Sequence, residues 1–190
     1  MIIDLHKIKW LLCCLLVAVV VIMVLYHSSW FWRAFYPLHH RELIFYYAAQ
    51  YGVDPYLVAA VIRVESKFYA EAESNAGARG LMQVMPETGM WVADIIGLDD
   101  FNADQLYDPE VNICIGTWYL ANLSQEFDDL VLVLAAYNGG RGNVKRWLEI
   151  KEAQGEALTR DNLPFPETRS FVEKVLYNYQ RYQEIYLNKW

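Results

Sequence analysis

The segment from Val61 to Gly89, VIRVESKFYAEAESNAGARGLMQVMPETG, holds the residues best suited to chemistry. Glu65 closes an apolar run that includes Val58, Ala59, Val61 and Ile62. If that run is a helix, Glu65 sits at its C-terminal end, where the helix dipole disfavours a negative charge and apolar neighbours strip away water. Both effects raise the carboxyl pKa, which suits a general acid working near neutral pH. Gly77 and Gly80 allow either a close backbone approach to a ligand or a turn with positive φ. Gln83 brings a donor and an acceptor, and Met82 and Met85 bring a conforming apolar wall. The same residues also read as a solvated helix-end glutamate and a tight turn before a core helix.

The elements that must position these residues read as helices. Glu42 to Gln50 is a short helix with Gly52 at its C-terminal cap. Asp54-Pro55 starts the next one, with an acid at the N-cap and proline at the first helical position. That helix ends at Glu65, and its apolar residues cover more than one face, so it belongs at the centre of the core. Pro86 opens a helix to Ile96 that Gly97 closes, and Asp108-Pro109 opens one from Glu110 to about Gln125. Asp128-Asp129 caps the apolar run LVLVLAAYN, which stops at Gly139-Gly140. A short basic helix around Val144 to Leu148 and a last helix from Glu167 to about Tyr186 complete the chain. No alternating strands bounded by hairpin turns are visible. The expected fold class is therefore all-α.

At the other end of the chain, Trp10 to Tyr26 carries no charge and as a helix would rise about 25 Å. Leu5 and Ile8 extend the apolar span, Lys7 and Lys9 can snorkel on one side, and Trp30, Phe31 and Trp32 suit the opposite interface. Tyr26-His27-Ser28-Ser29-Trp30 makes a poor cleavage site, so the expectation is an uncleaved transmembrane anchor rather than a signal peptide. The expected organisation is an anchor and juxtamembrane segment over residues 1–36 and a helical domain over residues 37–190. A formal charge of −7 argues against nucleic acid as a partner. Acidic residues gather between Glu71 and Asp129 around a single base, Arg79, and read as a solvated face without calcium-loop spacing. Cys13 and Cys14 fall in the anchor, Cys114 reads as a small buried hydrophobe, and no Cys/His cluster has zinc spacing.

Taken in order, a set of short blocks resembles the soluble-lytic-transglycosylase-like peptidoglycan lyases, which have a goose-type lysozyme fold. The blocks are Glu65-Ser66; Ser74 with Gly77-Ala78; Gly80-Leu81-Met82-Gln83-Val84-Met85-Pro86 with Thr88; and Asn112-Ile113, Gly116 and Tyr119-Leu120. Ala136-Tyr137-Asn138-Gly139-Gly140 follows, then Pro164 with Glu167-Thr168-Arg169 and Phe171-Val172. The resemblance implies that Glu65 is the catalytic acid and base, and that Ser74, Gln83 and Met85 line the cleft. It implies that Tyr137 and Asn138 stand opposite Glu65, with the tyrosine hydroxyl near it, and that Glu167 faces an N-acetyl sugar. Tyr137-Asn138 also reads as an ordinary helix end, and Glu167 as an acid in a first helical turn. Ala70 and Arg141 depart from the family, which often has proline at both places.

The resemblance further implies that the helical domain, which follows the expected transmembrane helix, is lysozyme-like and acts on peptidoglycan glycan strands with one carboxyl and neither a metal nor another cofactor. The expected products are 1,6-anhydromuramyl ends. A hydrolytic muramidase, with Glu71, Glu73 or Asp104 activating water, is the nearest alternative, and an inactive glycan-binding module is another. Because peptidoglycan lies outside the membrane, the expected topology has the N-terminus in the cytoplasm and the helical domain outside.

Overall fold

A computed structural model describes residues 5–26 and 28–187. The side chains of Leu5, Ile8 and Ser29 fall outside that description, as does His27, so the expected extension of the apolar span by Leu5 and Ile8 does too. Helices α1 (Leu5–Tyr26), α2 (Ser29–Phe35), α3 (Arg41–Tyr51), α4 (Pro55–Glu65) and α5 (Pro86–Ile96) come first. Helices α6 (Pro109–Glu126), α7 (Leu130–Gly139), α8 (Arg141–Ala153) and α9 (Pro166–Tyr186) complete the order. Single 3₁₀ turns at Ala103–Tyr107 and Arg160–Asn162 join them. Among the described residues the only β contacts are isolated bridges, Glu73 with Arg79 and Arg79 with Val84, so the fold is all-α as expected.

The chain divides into two compact units, Met1–Leu38 with Gln183–Trp190, and His39–Tyr182. In the first, the window Lys9–Tyr26 has a mean hydropathy of 2.6 and none of it is buried, which makes α1 long and apolar enough to cross a membrane. The aromatic segment after α1, expected only to suit a membrane interface, forms a helix, α2. The Trp32 indole nitrogen donates to the Tyr26 carbonyl at 2.7 Å, and Phe31 packs edge-on to Trp32. The Tyr186 hydroxyl donates to the Tyr36 carbonyl at 2.8 Å, and the Arg33 guanidinium lies 5.1 Å from the Tyr186 ring centre.

In the second unit the caps read from the sequence are formed. Asp54 accepts from the Tyr56 amide at 2.8 Å, Asp108 from those of Glu110 and Val111, and Asp129 from that of Val131 at 2.7 Å. Gly52 and Gly97 close α3 and α5 in the left-handed conformation. Every residue of α4 from Tyr56 to Ile62 is buried. At roughly 1.5–3 kcal/mol for each large aliphatic side chain, that burial makes α4 the rigid axis on which Glu65 is mounted. Tyr179 of α9 donates to the second oxygen of the Asp54 carboxylate at 2.7 Å and pins the start of α4. Helix α6 lies between α3 and α7, with Asn112 through Thr117 buried.

One boundary differs clearly from expectation. Helix α8 runs over Arg141–Ala153 rather than the short stretch around Val144 to Leu148. Gly140, at φ 87°, serves as both the C-cap of α7 and the N-cap of α8, so the second helix starts with no intervening loop. The helix formers Lys151, Glu152 and Ala153 then extend it. Cys114 is buried as expected, and its sulfur also meets the Tyr51 hydroxyl at 3.4 Å.

Candidate active site

The end of α4 is held by Ser66. Its hydroxyl donates to the Ile62 carbonyl at 3.2 Å and to the Leu81 carbonyl at 2.7 Å. Glu65 is thereby fixed against the Gly80–Pro86 loop. Gly80 is required by packing: at φ 76° its position leaves no room for a side chain, and a Cβ would overlap the Leu106 carbonyl and the Asn112 amide. Asn112, fully buried on α6, gathers the loop. Its Oδ1 accepts from the Met82 amide at 2.7 Å, and its Nδ2 donates to the Arg79 and Leu106 carbonyls at 2.9 and 2.7 Å. Gly116 serves the same loop, because a side chain there would collide with Met82. Met82 is fully buried and belongs to the core, not to a cleft wall as the sequence suggested.

Glu65 is half-buried, and no hydrogen bond or ion pair to its carboxyl occurs among the described residues. Burial, and then the negative charge of Glu167, push its pKa from the ordinary 4.5 up to about 8. The group is therefore mostly protonated at neutral pH. Burial, and then the charge of Glu65, likewise push the Tyr137 hydroxyl well above its ordinary range. That hydroxyl donates to the Met82 carbonyl at 2.8 Å, so its proton is committed to backbone while the electrical contact with Glu65 remains. The Tyr137 ring is stacked on Phe171 at 6.3 Å and 5°.

Beside these groups runs a groove made of three adjoining pockets. The central pocket, about 270 Å³, is lined by Gln83, Met85, Thr88, Tyr119, Tyr137 and Asn138, among others. It shares Asn138 and Gly139 with a pocket of about 390 Å³ that includes Glu167 and Thr168. It shares Thr88 and Tyr119 with a pocket of about 340 Å³ lined also by Glu87, Trp91 and Arg141. Glu65 is not among the lining residues of the three; its link to the groove is through Tyr137 and Glu167. The Gln83 amide donates to the Ala72 and Gly80 carbonyls at 3.1 and 2.9 Å. Asn138 Oδ1 accepts from the Thr168 hydroxyl at 2.9 Å, which orients its amide nitrogen. Met85 is 37% exposed in the groove.

Four of the sequence-selected residues, Gln83, Met85, Tyr137 and Asn138, thus share one pocket, and Glu167 lines the next. Ser74 stands apart from all three pockets. It is exposed, and its hydroxyl accepts from the Ala78 amide at 3.0 Å to close the turn around Gly77. Tyr119, Thr88 and Thr168 were visible in the motif blocks but were not selected. Trp91 and Glu87 complete the lining without any motif pointing to them, and Arg141 joins it from the position where the family often has proline. Of the acids considered for water activation, Glu73 accepts from the Tyr107 hydroxyl at 2.8 Å, and Asp104 pairs with Arg79 at 2.9 Å. Glu71 lines a separate pocket with Tyr107.

An all-helical, lysozyme-like domain with one neutral carboxyl beside a polar, aromatic groove defines the class. Residues 42–159 match the Transglycosylase SLT domain family, and the chain belongs to that family. It is 35% identical over 144 residues to the soluble lytic murein transglycosylase of Salmonella typhimurium, covering 74% of this chain and 22% of that protein. It is 33% identical over 166 residues to the membrane-bound lytic murein transglycosylase C of Edwardsiella ictaluri, covering 72% and 44%. Among solved structures, an inactive glutamate-to-glutamine mutant of the lytic transglycosylase Slt of Pseudomonas aeruginosa superposes with a TM-score of 0.71 at 33% identity. That match covers 78% of this chain and 24% of the other. The chain therefore spans less than half the length of these relatives.

Proposed function

We propose that this protein is a membrane-anchored peptidoglycan lytic transglycosylase. The observation that carries the reading is Glu65: a carboxyl held neutral near pH 7 by burial and by Glu167, beside a groove of three adjoining pockets. Glu65 protonates the oxygen that links N-acetylmuramic acid to N-acetylglucosamine, and the C1–O bond breaks. The resulting carboxylate then removes the proton of the muramyl C6 hydroxyl, whose oxygen closes on C1 to give the 1,6-anhydro ring. No water is consumed, and Glu65 ends the cycle protonated. Gln83, Met85, Tyr137 and Asn138 hold the sugars on one side of the scissile bond, and Glu167 contacts an N-acetyl sugar on the other. Ser74 contributes through the shape of its turn. The relatives' names support the reaction class, and the inactive glutamate-to-glutamine mutant of one of them supports an essential carboxyl.

The finer localisation follows from the substrate. With peptidoglycan outside the membrane, residues 1–36 form a single-pass anchor with the N-terminus in the cytoplasm, and residues 37–190 form the extracytoplasmic domain. Lys7 and Lys9 on the N-terminal side agree with that orientation, while Arg33 and Arg41 beyond the span reduce the charge asymmetry, so the substrate carries the assignment. Mass spectrometry of the products formed from purified glycan strands tests the reaction. Anhydromuramyl ends are expected; reducing ends would make the protein a muramidase, and uncleaved glycan would make it a binding module.

A further inference from the structure

The pocket that contains Trp91 is built unlike the rest of the groove. The indole is 41% exposed, yet it is held from three sides. Trp118 meets it edge-on at 5.4 Å, Tyr119 at 6.3 Å, and the Arg141 guanidinium lies 5.1 Å from its ring centre. Arg141 is itself anchored: Nη2 donates to Asn122 Oδ1 at 2.8 Å, and Nη1 lies 3.3 Å from the Glu126 carboxylate, which Lys145 also pairs. The guanidinium also stands 5.5 Å from the Tyr119 ring centre. An exposed tryptophan with its rotamer already fixed loses little entropy when a ligand covers it. Such a surface suits the flat apolar face of a pyranose. Glu87 and Thr88 in the same lining add a carboxylate acceptor and a hydroxyl, the groups that sugar hydroxyls and an acetamido N–H need. A peptide carboxylate fits less well, because the Glu87 carboxylate in the same lining opposes it.

We propose that this pocket is an additional glycan subsite in which one sugar of the strand stacks on Trp91, and that Arg141 is the positioning residue that braces the indole. The proposal rests on the reading of the groove as a peptidoglycan cleft, and deepens it by making the enzyme sensitive to strand length. The pocket shares lining residues with the central pocket but none with the Glu167 pocket, so only a longer glycan reaches it.

The test uses the full chain in detergent and bare glycan strands of two and four disaccharide units. Trp91→Ala should raise KM for the longer strand about tenfold more than for the shorter one, with kcat little changed. Trp91→Phe should restore most of that loss. Arg141→Ala should give a smaller KM rise of the same length dependence, partly recovered in Arg141→Lys, and adding it to Trp91→Ala should cost nothing further. Equal effects of Trp91→Ala on both lengths, or none on either, would overturn the subsite. So would a loss that appears only when the strands carry peptide stems. Calorimetry of the same strands with the Glu65→Gln chain reads the subsite without turnover. If the wild type cleaves neither strand but length-dependent binding through Trp91 persists, the subsite stands and the proposed function fails.

Discussion

Replacing Glu65 with glutamine should make the protein more stable, and only at higher pH. The carboxyl pKa is 4.5 in an ordinary setting and about 8 in the fold. Between those values the native state binds a proton that the unfolded chain does not, so stability falls as pH rises through that window. Below pH 4.5 both states are protonated and the wild type should match the Glu65→Gln variant. Above pH 8 the wild type carries a charge that burial and Glu167 both oppose, and the variant does not. At about 1.36 kcal/mol per pH unit, the gap from 4.5 to about 8 bounds the difference at about 5 kcal/mol. Relaxation of the fold and entry of water around the charge bring the expected value to roughly 2–3 kcal/mol. The measurement is denaturant unfolding of both proteins in the same detergent from pH 4.5 to 9. The stability difference should grow monotonically and level off near pH 8, while cleavage by the variant is absent throughout. Parallel pH profiles for the two proteins would refute the raised pKa and, with it, the argument that Glu65 is held as an acid.

Glu167→Gln should move the alkaline limb of kcat to lower pH, because one of the two causes raising the Glu65 pKa is gone while burial remains; an unmoved limb in a pH–rate profile would contradict the electrical contact. Tyr137→Phe leaves the Met82 carbonyl without its hydroxyl donor and should cost about 1–2 kcal/mol by chemical unfolding. Because that proton is given to backbone, the rate should fall less than the roughly hundredfold typical of a directly positioned donor, and a larger fall would show that the hydroxyl turns to Glu65 in the complex. Asn112→Ala removes three hydrogen bonds, two of them fully buried, and should destabilise by roughly 3–5 kcal/mol, with a loss under 1 kcal/mol meaning that water replaces the amide.

The helices were readable because their ends carry punctuation: Asp-Pro at residues 54–55 and 108–109, and Gly52 and Gly97 at the far ends. The start of α8 was not, since Gly139-Gly140 reads as a stop and nothing local says that the second glycine also caps the next helix. Glu65 was legible from its place at the end of an apolar run, and the structure adds that Glu167, far away in sequence, helps raise its pKa. Met82 was misplaced because residue type alone groups it with Met85, while the chain there is a turn with Gln83 at φ 49°, which sends the two side chains to opposite environments. Ser74 could not be separated from the groove residues by type alone; only its bond to the Ala78 amide reveals its place in a turn. The Trp91 pocket was invisible because it joins residues from α5, α6 and α8 that no local pattern connects.

The three bonds of Asn112 have a practical use. One amide clamps the loop at Arg79 and Met82 and the 3₁₀ turn at Leu106, so the register of the groove is set on α6 rather than by the chain between α5 and that turn. The segment between the Gly97 cap and the Asn102 capping box is exposed from Leu98 to Asp100. A short peptide spliced between Asp99 and Asp100 would lengthen a connection whose two ends are independently fastened, at a closure cost that grows only slowly with length. That junction is therefore a port for a fluorescent or affinity label, through which the protein can be followed at the membrane with its groove undisturbed.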